Sequence, residues 1–355
     1  MKKLLLSLSL IGGLFTVNAQ QLQAEDFNAL TAGDIATDIT GATAGQGGHF
    51  LFVSNGTAPT TTTNSNATNA QIVASGNASL GLQLTGPNGD KGSRYVWKDG
   101  LGAAWTSRTV GNNIIELEVD INPGATTTSR NTFGAYIFDA SGAKVLAGFL
   151  VRAATRELFL VAYSTPTGNP VGNYNYSLAA APGIQIPANT FSRIGVSYDK
   201  STGDVTIKGP GIAAAGLGVT SSALATDEPG EIDLVSFSGN ATATPNTLAA
   251  SMVFDNLVVR ASATDTLLGL DKLEANNDTF VVYPNPVNDI VNISLAVNTV
   301  EIEINKVTVS DVNGRIVKEF NSNLNQLNVS DLNSGVYFLN IETQNGKATK
   351  KIVKQ

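Results

Sequence analysis

No cysteine occurs among the 355 residues. Disulfides, Cys-ligated metals and thiol catalysis are thereby excluded, so the fold must rest on ordinary packing. Histidine occurs once, as His49 in QGGHFLF. A site of several histidines is excluded within the chain, and any Ser/His/Asp triad would have to use this one. No GxSxG turn leads into a helical pattern, and His49 reads as a polar residue at a strand entrance. Charged residues make up only 14%, against roughly a quarter in ordinary globular domains. Thr, Asn, Ser, Ala and Gly must therefore cover much of the surface. The net charge of -7 argues against a nucleic-acid partner, whose phosphates reward a basic face. After the first residues no stretch reaches the ~18 consecutive apolar residues of a membrane helix, so no transmembrane segment is expected.

The first residues, MKKLLLSLSLIGGLFTVNAQ, have the layout of a secretory signal peptide. Lys2 and Lys3 form the basic head, Leu4 to Phe15 the apolar stretch, and Val17 to Ala19 a small-residue cleavage site. The expected signal peptide is residues 1–19, and the expected destination is outside the cytoplasm. Hydrophobic residues at 42% suffice for a packed core, and the length allows two or three domains.

Short apolar runs of strand length dominate residues 21–260. NNIIELEVDINP alternates Ile115, Leu117, Val119 and Ile121 against Glu116, Glu118 and Asp120, which reads as a strand with one wet face. FSRIGVSYDKSTGDVTIKG reads as a hairpin turning at Lys200 to Gly203. Strand patterns recur near Phe50 to Val53 and in TFGAYIFD, KVLAGFLV, RELFLVAYS, EIDLVSF and MVFDNLVV. Nothing of helical period lasts more than about two turns. The fold class is all-β: a large β-sandwich over residues 21–260, then a small β-sandwich over residues 280–355. Residues 261–279, ASATDTLLGLDKLEANNDT, read as a linker with a short helix around Leu267 to Glu274. TAPTTTTNSNATNAQ, Thr57 to Gln71, reads as a polar loop.

Candidate sites are few. Glu116 and Glu118 share a strand face about 7 Å apart, a spacing that serves paired acid/base chemistry and also describes any outer strand. A structural calcium would take oxygen ligands, with Asp26, Asp120 and Asp255 as candidates, although no DxDxDG loop occurs. Tyr95, Trp97 and Trp105 are candidate ligand-binding residues, because indole and phenol faces stack on sugars. They lie near Asp90, Lys91, Arg94, Lys98 and Asp99, a local concentration of charge. The competing account makes both tryptophans packing residues.

Two resemblances extend this reading. The last seventy-five residues closely resemble the type A C-terminal sorting domain of the type IX secretion system in Bacteroidetes. Tyr283, Pro284, Asn285 and Pro286 match its opening motif. Asp311 and Gly314 match the central hairpin, Gly335, Val336 and Tyr337 the next motif, and Lys350 and Lys351 the basic tail. The resemblance implies an Ig-like sandwich that directs passage through the outer membrane, with the secretion machinery as partner. It further implies removal of the domain as the passenger is released or attached to surface lipopolysaccharide. The large region resembles concanavalin A-like and laminin G-like jelly rolls through Tyr198, Asp199 and Gly203 and through Asp255, Asn256 and Leu257. That family includes lectins, carbohydrate-binding modules and glycosidases. Its acidic catalytic strand has no good counterpart in IIELEVDIN, so no catalytic residue is carried over. The expectation is a secreted or cell-surface protein with a glycan-binding passenger. A structural surface protein and a polysaccharide hydrolase are the alternatives, and no cofactor is expected beyond the calcium just named.

Overall fold

The computed structural model describes residues 19–55, 64–76, 79–219, 227–239, 245–268, 280–295, 304–312, 315–343 and 346–355. All but Ala19 of the expected signal peptide lies outside them, as do residues 57–63 of the Thr-rich loop and residues 269–279 of the expected linker.

Sixteen strands of the described residues build the larger unit. They are β1 (Gln20–Glu25), β2 (Gly33–Asp34), β3 (His49–Val53), β4 (Ala70–Gly76), β5 (Ser79–Thr85), β6 (Ser93–Lys98), β7 (Ile114–Asn122) and β8 (Thr132–Asp139). Next come β9 (Val145–Arg152), β10 (Leu158–Ser164), β11 (Gly172–Ser177), β12 (Ser192–Asp199), β13 (Val205–Lys208), β14 (Leu217–Val219), β15 (Pro229–Phe237) and β16 (Ser251–Ser262). One short α-helix, α1 (Leu101–Thr106), and two single-turn 3-10 helices, Gln46–Gly48 and Ala67–Asn69, interrupt them among the described residues. The strands form a nine-stranded sheet, ordered β14-β13-β12-β7-β16-β5-β4-β2 with β1 also on β16. The facing seven-stranded sheet is ordered β11-β10-β9-β8-β15-β6-β3. Every strand pairing in both sheets is antiparallel.

Period-two alternation places one set of side chains between the sheets. Leu117 and Val119 of β7, Ile194 and Val196 of β12 and Phe254 and Val259 of β16 meet Phe133 and Ala135 of β8, Phe149 of β9 and Leu234 of β15 in one buried core. The hairpin expected around Lys200 to Gly203 is present, with Tyr198 paired to Val205.

The outer face of β7 is not wet, contrary to expectation. Glu116 and Glu118 are both 0% exposed. The chain leaving β16 doubles back over them. Glu116 Oε1 accepts the Thr266 amide at 2.6 Å, and its other oxygen accepts the Thr266 hydroxyl. Glu118 Oε1 accepts the Leu268 amide at 2.7 Å. Leu267 is buried against Gly195 of β12, where an added Cβ would lie 2.7 Å from its Cδ1. Lys208 pairs with Asp265 at 2.7 Å and donates to the Leu267 carbonyl. Residues 265–268, expected to be free linker, are thus a strap across the nine-stranded sheet. The segment turns at Leu267 and Leu268, with Leu268 at φ 55°, and the two carboxylates satisfy the Thr266 and Leu268 backbone donors.

Buried carboxylates persist only when paired. Glu118 lies 3.2 Å from Arg193 Nη2 and 3.2 Å from Arg260 Nη1. Removing one member of such a group strands the others, at a cost of about 3–5 kcal/mol. We expect Glu118→Ala to lose stability of that order in urea denaturation, and Glu118→Gln, which keeps the shape and an acceptor, to lose less.

The C-terminal unit is a smaller sandwich. Its strands are β17 (Phe280–Tyr283), β18 (Ile290–Leu295), β19 (Ile304–Asp311), β20 (Ile316–Phe320), β21 (Gln326–Asn328), β22 (Gly335–Thr343) and β23 (Gly346–Lys354). They form a three-stranded sheet, β17-β18-β21, and a four-stranded sheet, β20-β19-β22-β23. Phe280, Val291, Val307, Leu339 and Ile352 are in its core.

Candidate functional site

The strand pairings carry one row of outward positions across the seven-stranded sheet: Phe50, Trp97, Asp233, Tyr136, Gly148, Val161 and Asn175. The next row is Phe52, Tyr95, Val235, Gly134, Leu150, Phe159 and Ser177. Aromatic rings cluster on this face, and the Tyr136 ring packs over Gly148, where an added Cβ would lie 2.5 Å from Cδ1. Tyr136 stacks on Phe237 at 5.8 Å and meets Phe138 edge-on at 5.7 Å, and Tyr95 meets Phe237 edge-on at 5.6 Å. The result is an open groove of about 470 Å³, lined by these four rings, Val145, Leu150 and Val161, with Thr132, Arg152, Asn173 and Asn175 as its polar members. From β6 to β11 it crosses six strands, roughly 24 Å at the usual strand spacing. Arg152 stacks on Phe159 at 4.7 Å and pairs with Glu157 at 3.0 Å, which fixes its guanidinium. Asn173 and Asn175 are both exposed, and Asn173 accepts the Val145 amide at 2.9 Å.

The aromatic candidates separate. Tyr95 is half-buried and lines the groove. Trp97 shares its face but lies to one side, stacked on Phe50 at 5.5 Å. Its ring also fills the space beside Gly41, where an added Cβ would lie 2.6 Å from Cη2. Trp105 is corrected to a core residue: it sits in α1, 1% exposed, donates Nε1–H to Glu228 at 2.6 Å, and carries the Arg108 guanidinium 3.8 Å over its ring. The charged cluster around Trp97 also divides: within β6, Arg94 and Lys98 have the parity opposite to Tyr95 and Trp97, and Asp90, Lys91 and Asp99 lie outside the strand. Arg94 is fully buried and donates to the carbonyls of Ser54, Asn64 and Thr85; burial pushes its guanidinium down to about 10. Lys98 pairs with Glu25 at 3.1 Å, and Glu25 lies 3.6 Å from His49. His49 is buried, which lowers its pKa, and its Nδ1 lies 3.0 Å from the Gln46 carbonyl. It has no place in the groove.

The calcium candidates have protein partners. Asp26 accepts the Asn28 amide. Asp120 takes Arg193 and the Asn256 side chain, and Asp255 takes Ser75, Ser79 and the Asn256 amide. No group of three or more His, Cys, Asp or Glu residues suited to a metal occurs among the described residues.

Sequence reasoning missed the acids on the aromatic face. Glu231 and Asp233 of β15 share it with Val235 and Phe237, while Ile232 and Leu234 turn to the core. The sign was present in EIDLVSF, where two acids precede two apolar residues at the same parity. Asp233 is 4% exposed, and burial, the neighbouring charge of Glu231 and a hydrogen bond with Glu231 raise its pKa. Burial also raises Glu231, with Asp99 adding to the rise.

A raised carboxyl keeps its proton in the folded protein at pH values where the unfolded chain has released it. Its contribution to stability is full below about pH 4 and falls as pH rises, by up to ~1.4 kcal/mol per pH unit, until the folded carboxyl ionises. We expect Asp233→Asn to melt near the parent temperature in acid and increasingly above it towards neutral pH. Thermal melting across that range checks the slope.

In the smaller unit the Pro-Asn-Pro opening closes onto the final strand. Prolines lack an amide donor, and the Asn285 side chain supplies both bonds: Nδ2 donates to the Lys351 carbonyl and Oδ1 accepts the Val353 amide, each at 2.9 Å. Val287 continues the contact through its amide and carbonyl, to Val353 and Gln355. Asp311 caps its turn by accepting the Arg315 amide at 3.1 Å; Gly314 lies outside the described residues. Tyr337 pairs with Asp311 and Ile352 and donates its hydroxyl to the Asn333 carbonyl. Gly335, Val336, Lys350 and Lys351 lie on the paired strands β22 and β23, and Tyr283 is 49% exposed at the end of β17.

No curated protein matches the chain. Among solved structures, alginate lyase Aly36B shares 15% identity over 67% of this chain and 95% of its own, with a TM-score of 0.41. Alginate lyase vAL-1 from Chlorella virus shares 10% over 54% and 88%, with a TM-score of 0.38. The botulinum neurotoxin serotype C1 binding domain shares 11% over 84% and 68%, also with a TM-score of 0.38. Likenesses this distant carry no functional argument. No helix among the described residues is long and apolar enough to cross a membrane. The secretion system C-terminal sorting domain family matches residues 281–355. That stretch is therefore a sorting domain of the type IX secretion system, and the protein that carries it is a cargo of that machinery, exported to the cell surface.

Proposed function

We propose that the large sandwich is a carbohydrate-binding passenger that the sorting domain delivers to the cell surface. The observation that carries this reading is the aromatic groove on the outer face of the seven-stranded sheet. Ring faces and aliphatic side chains suit the apolar faces of sugars, and a few fixed amide and guanidinium groups suit their hydroxyls. The groove crosses six strands, which gives room for an oligosaccharide rather than a single sugar.

Binding without turnover fits the acids best. Glycoside hydrolysis needs two carboxyl groups flanking the scissile bond, about 5 to 10 Å apart. The groove lining holds no carboxylate among the described residues. Glu231 and Asp233 bond to each other on one strand rather than facing each other across a cleft. Glu116 and Glu118, the acids the sequence suggested, are buried beneath the strap on the other sheet.

A glycan array on the protein, followed by titration of the best ligand, tests the reading. Tyr95→Ala and Asn175→Ala should each weaken binding, by about tenfold for the tyrosine, with melting temperature retained. Binding unchanged in both variants would remove the groove as the site. The export role has its own test. Deleting residues 280–355 should leave the passenger in the periplasm of a host that carries the secretion system, detected by fractionation. Surface delivery of the truncated chain would contradict it.

A further inference from the structure

Among the described residues that line the groove, Arg152 alone carries a charge. Its side chain is 38% exposed, and its bond to Glu157 engages Nη1. A guanidinium presents five N–H donors in a planar fork, so most of those on Arg152 stay open to the groove. The Phe159 ring beneath it holds it in place. Glu157 is the buried partner: its side chain is 12% exposed, its other oxygen accepts the Ser177 hydroxyl at 2.9 Å, and it does not line the groove. The pair is neutral overall, but a molecule in the groove meets its positive end.

A second donor stands beside it. Thr132 lies directly opposite Arg152 in the register of β8 and β9, and its hydroxyl belongs to the same lining. Side chains directly opposite on one sheet face reach a common group. On the other side of Thr132 the row continues to Phe237 of β15, one of the four rings of the groove. A ring face, a hydroxyl and a planar cationic fork thus follow one another across three strands. A carboxylate matches the fork in shape and charge, and such charge-assisted bonds are roughly twice as strong as those to a neutral hydroxyl. Resting on the carbohydrate-binding reading of the groove, we propose that Arg152 and Thr132 form a subsite for the carboxylate of a uronic acid, so that the preferred ligand is an acidic oligosaccharide. The carboxylate accepts from the Arg152 guanidinium and the Thr132 hydroxyl, and the sugar ring that bears it lies against Phe237.

Isothermal titration calorimetry of the full chain at neutral pH compares tetramers of galacturonic, glucuronic and mannuronic acid with their methyl esters, which keep the ring and lose the charge. At least one acid should bind, about tenfold more tightly than its ester. Arg152→Gln, which can still donate to Glu157, should bring that acid down to the affinity of the ester. Equal binding of acid and ester, or a preference that survives Arg152→Gln, would overturn the subsite. The groove reading would then still stand if Tyr95→Ala weakened both. Failure of all three acids to bind would overturn the subsite, and the glycan array would decide the groove separately. If Arg152→Gln does not fold, salt dependence on the parent protein decides: screening acts on the charged ligand, so the preference should shrink as salt rises, and a preference that salt leaves unchanged would overturn the proposal.

Discussion

Two carboxylates without solvent constrain the whole of the large sandwich. Glu116 and Glu118 point away from the core on its central strand, yet neither touches water. A charge so placed must be matched at short range. Arg193 and Arg260 match Glu118, and the amides of Thr266 and Leu268 complete both acids. The strap therefore belongs to the fold of the passenger. Its position depends on β7, β12 and β16, since these strands carry the acids, Gly195 and the arginines.

Covering one sheet makes the two faces of the molecule unequal. The nine-stranded sheet has its outer centre occupied by the chain itself. The seven-stranded sheet leaves an aromatic groove open, with polar side chains at its margins. Scattered apolar side chains on a surface are ordinary, but a contiguous aromatic trough is not. In a chain with only 14% charged residues, the mutually bonded acids of β15 stand out on that face for the same reason.

Much of the architecture was legible in the sequence. Alternation gave the strands, and the Lys200 to Gly203 turn gave the hairpin. The Tyr-Pro-Asn-Pro motif placed the sorting domain, although nothing in the string showed that Asn285 bridges to Lys351 and Val353 sixty-odd residues later. The site was legible in part. Tyr95 lies in the groove, but Trp105 does not, because proximity in sequence says nothing about which way a helix turns a ring. The acidic side of β7 was read as wet because a strand's two faces carry no label for what will cover them. Thr266 and Leu268 satisfy Glu116 and Glu118 from about 150 positions away, beyond the reach of any local pattern. Glu231 and Asp233 were visible as letters and missed as a pair, since their meaning comes from Trp97 and Tyr136 on neighbouring strands.

The central claim is that the open face of the seven-stranded sheet receives the ligand while the strap keeps the other face closed. Hydrogen exchange on the full chain, with and without a bound oligosaccharide, tests it most directly. Protection should rise in residues 93–98, 132–139 and 229–237 and stay unchanged in residues 192–199 and 265–268. Protection gained instead at the strap and β12, with the aromatic strands unaffected, would contradict the account.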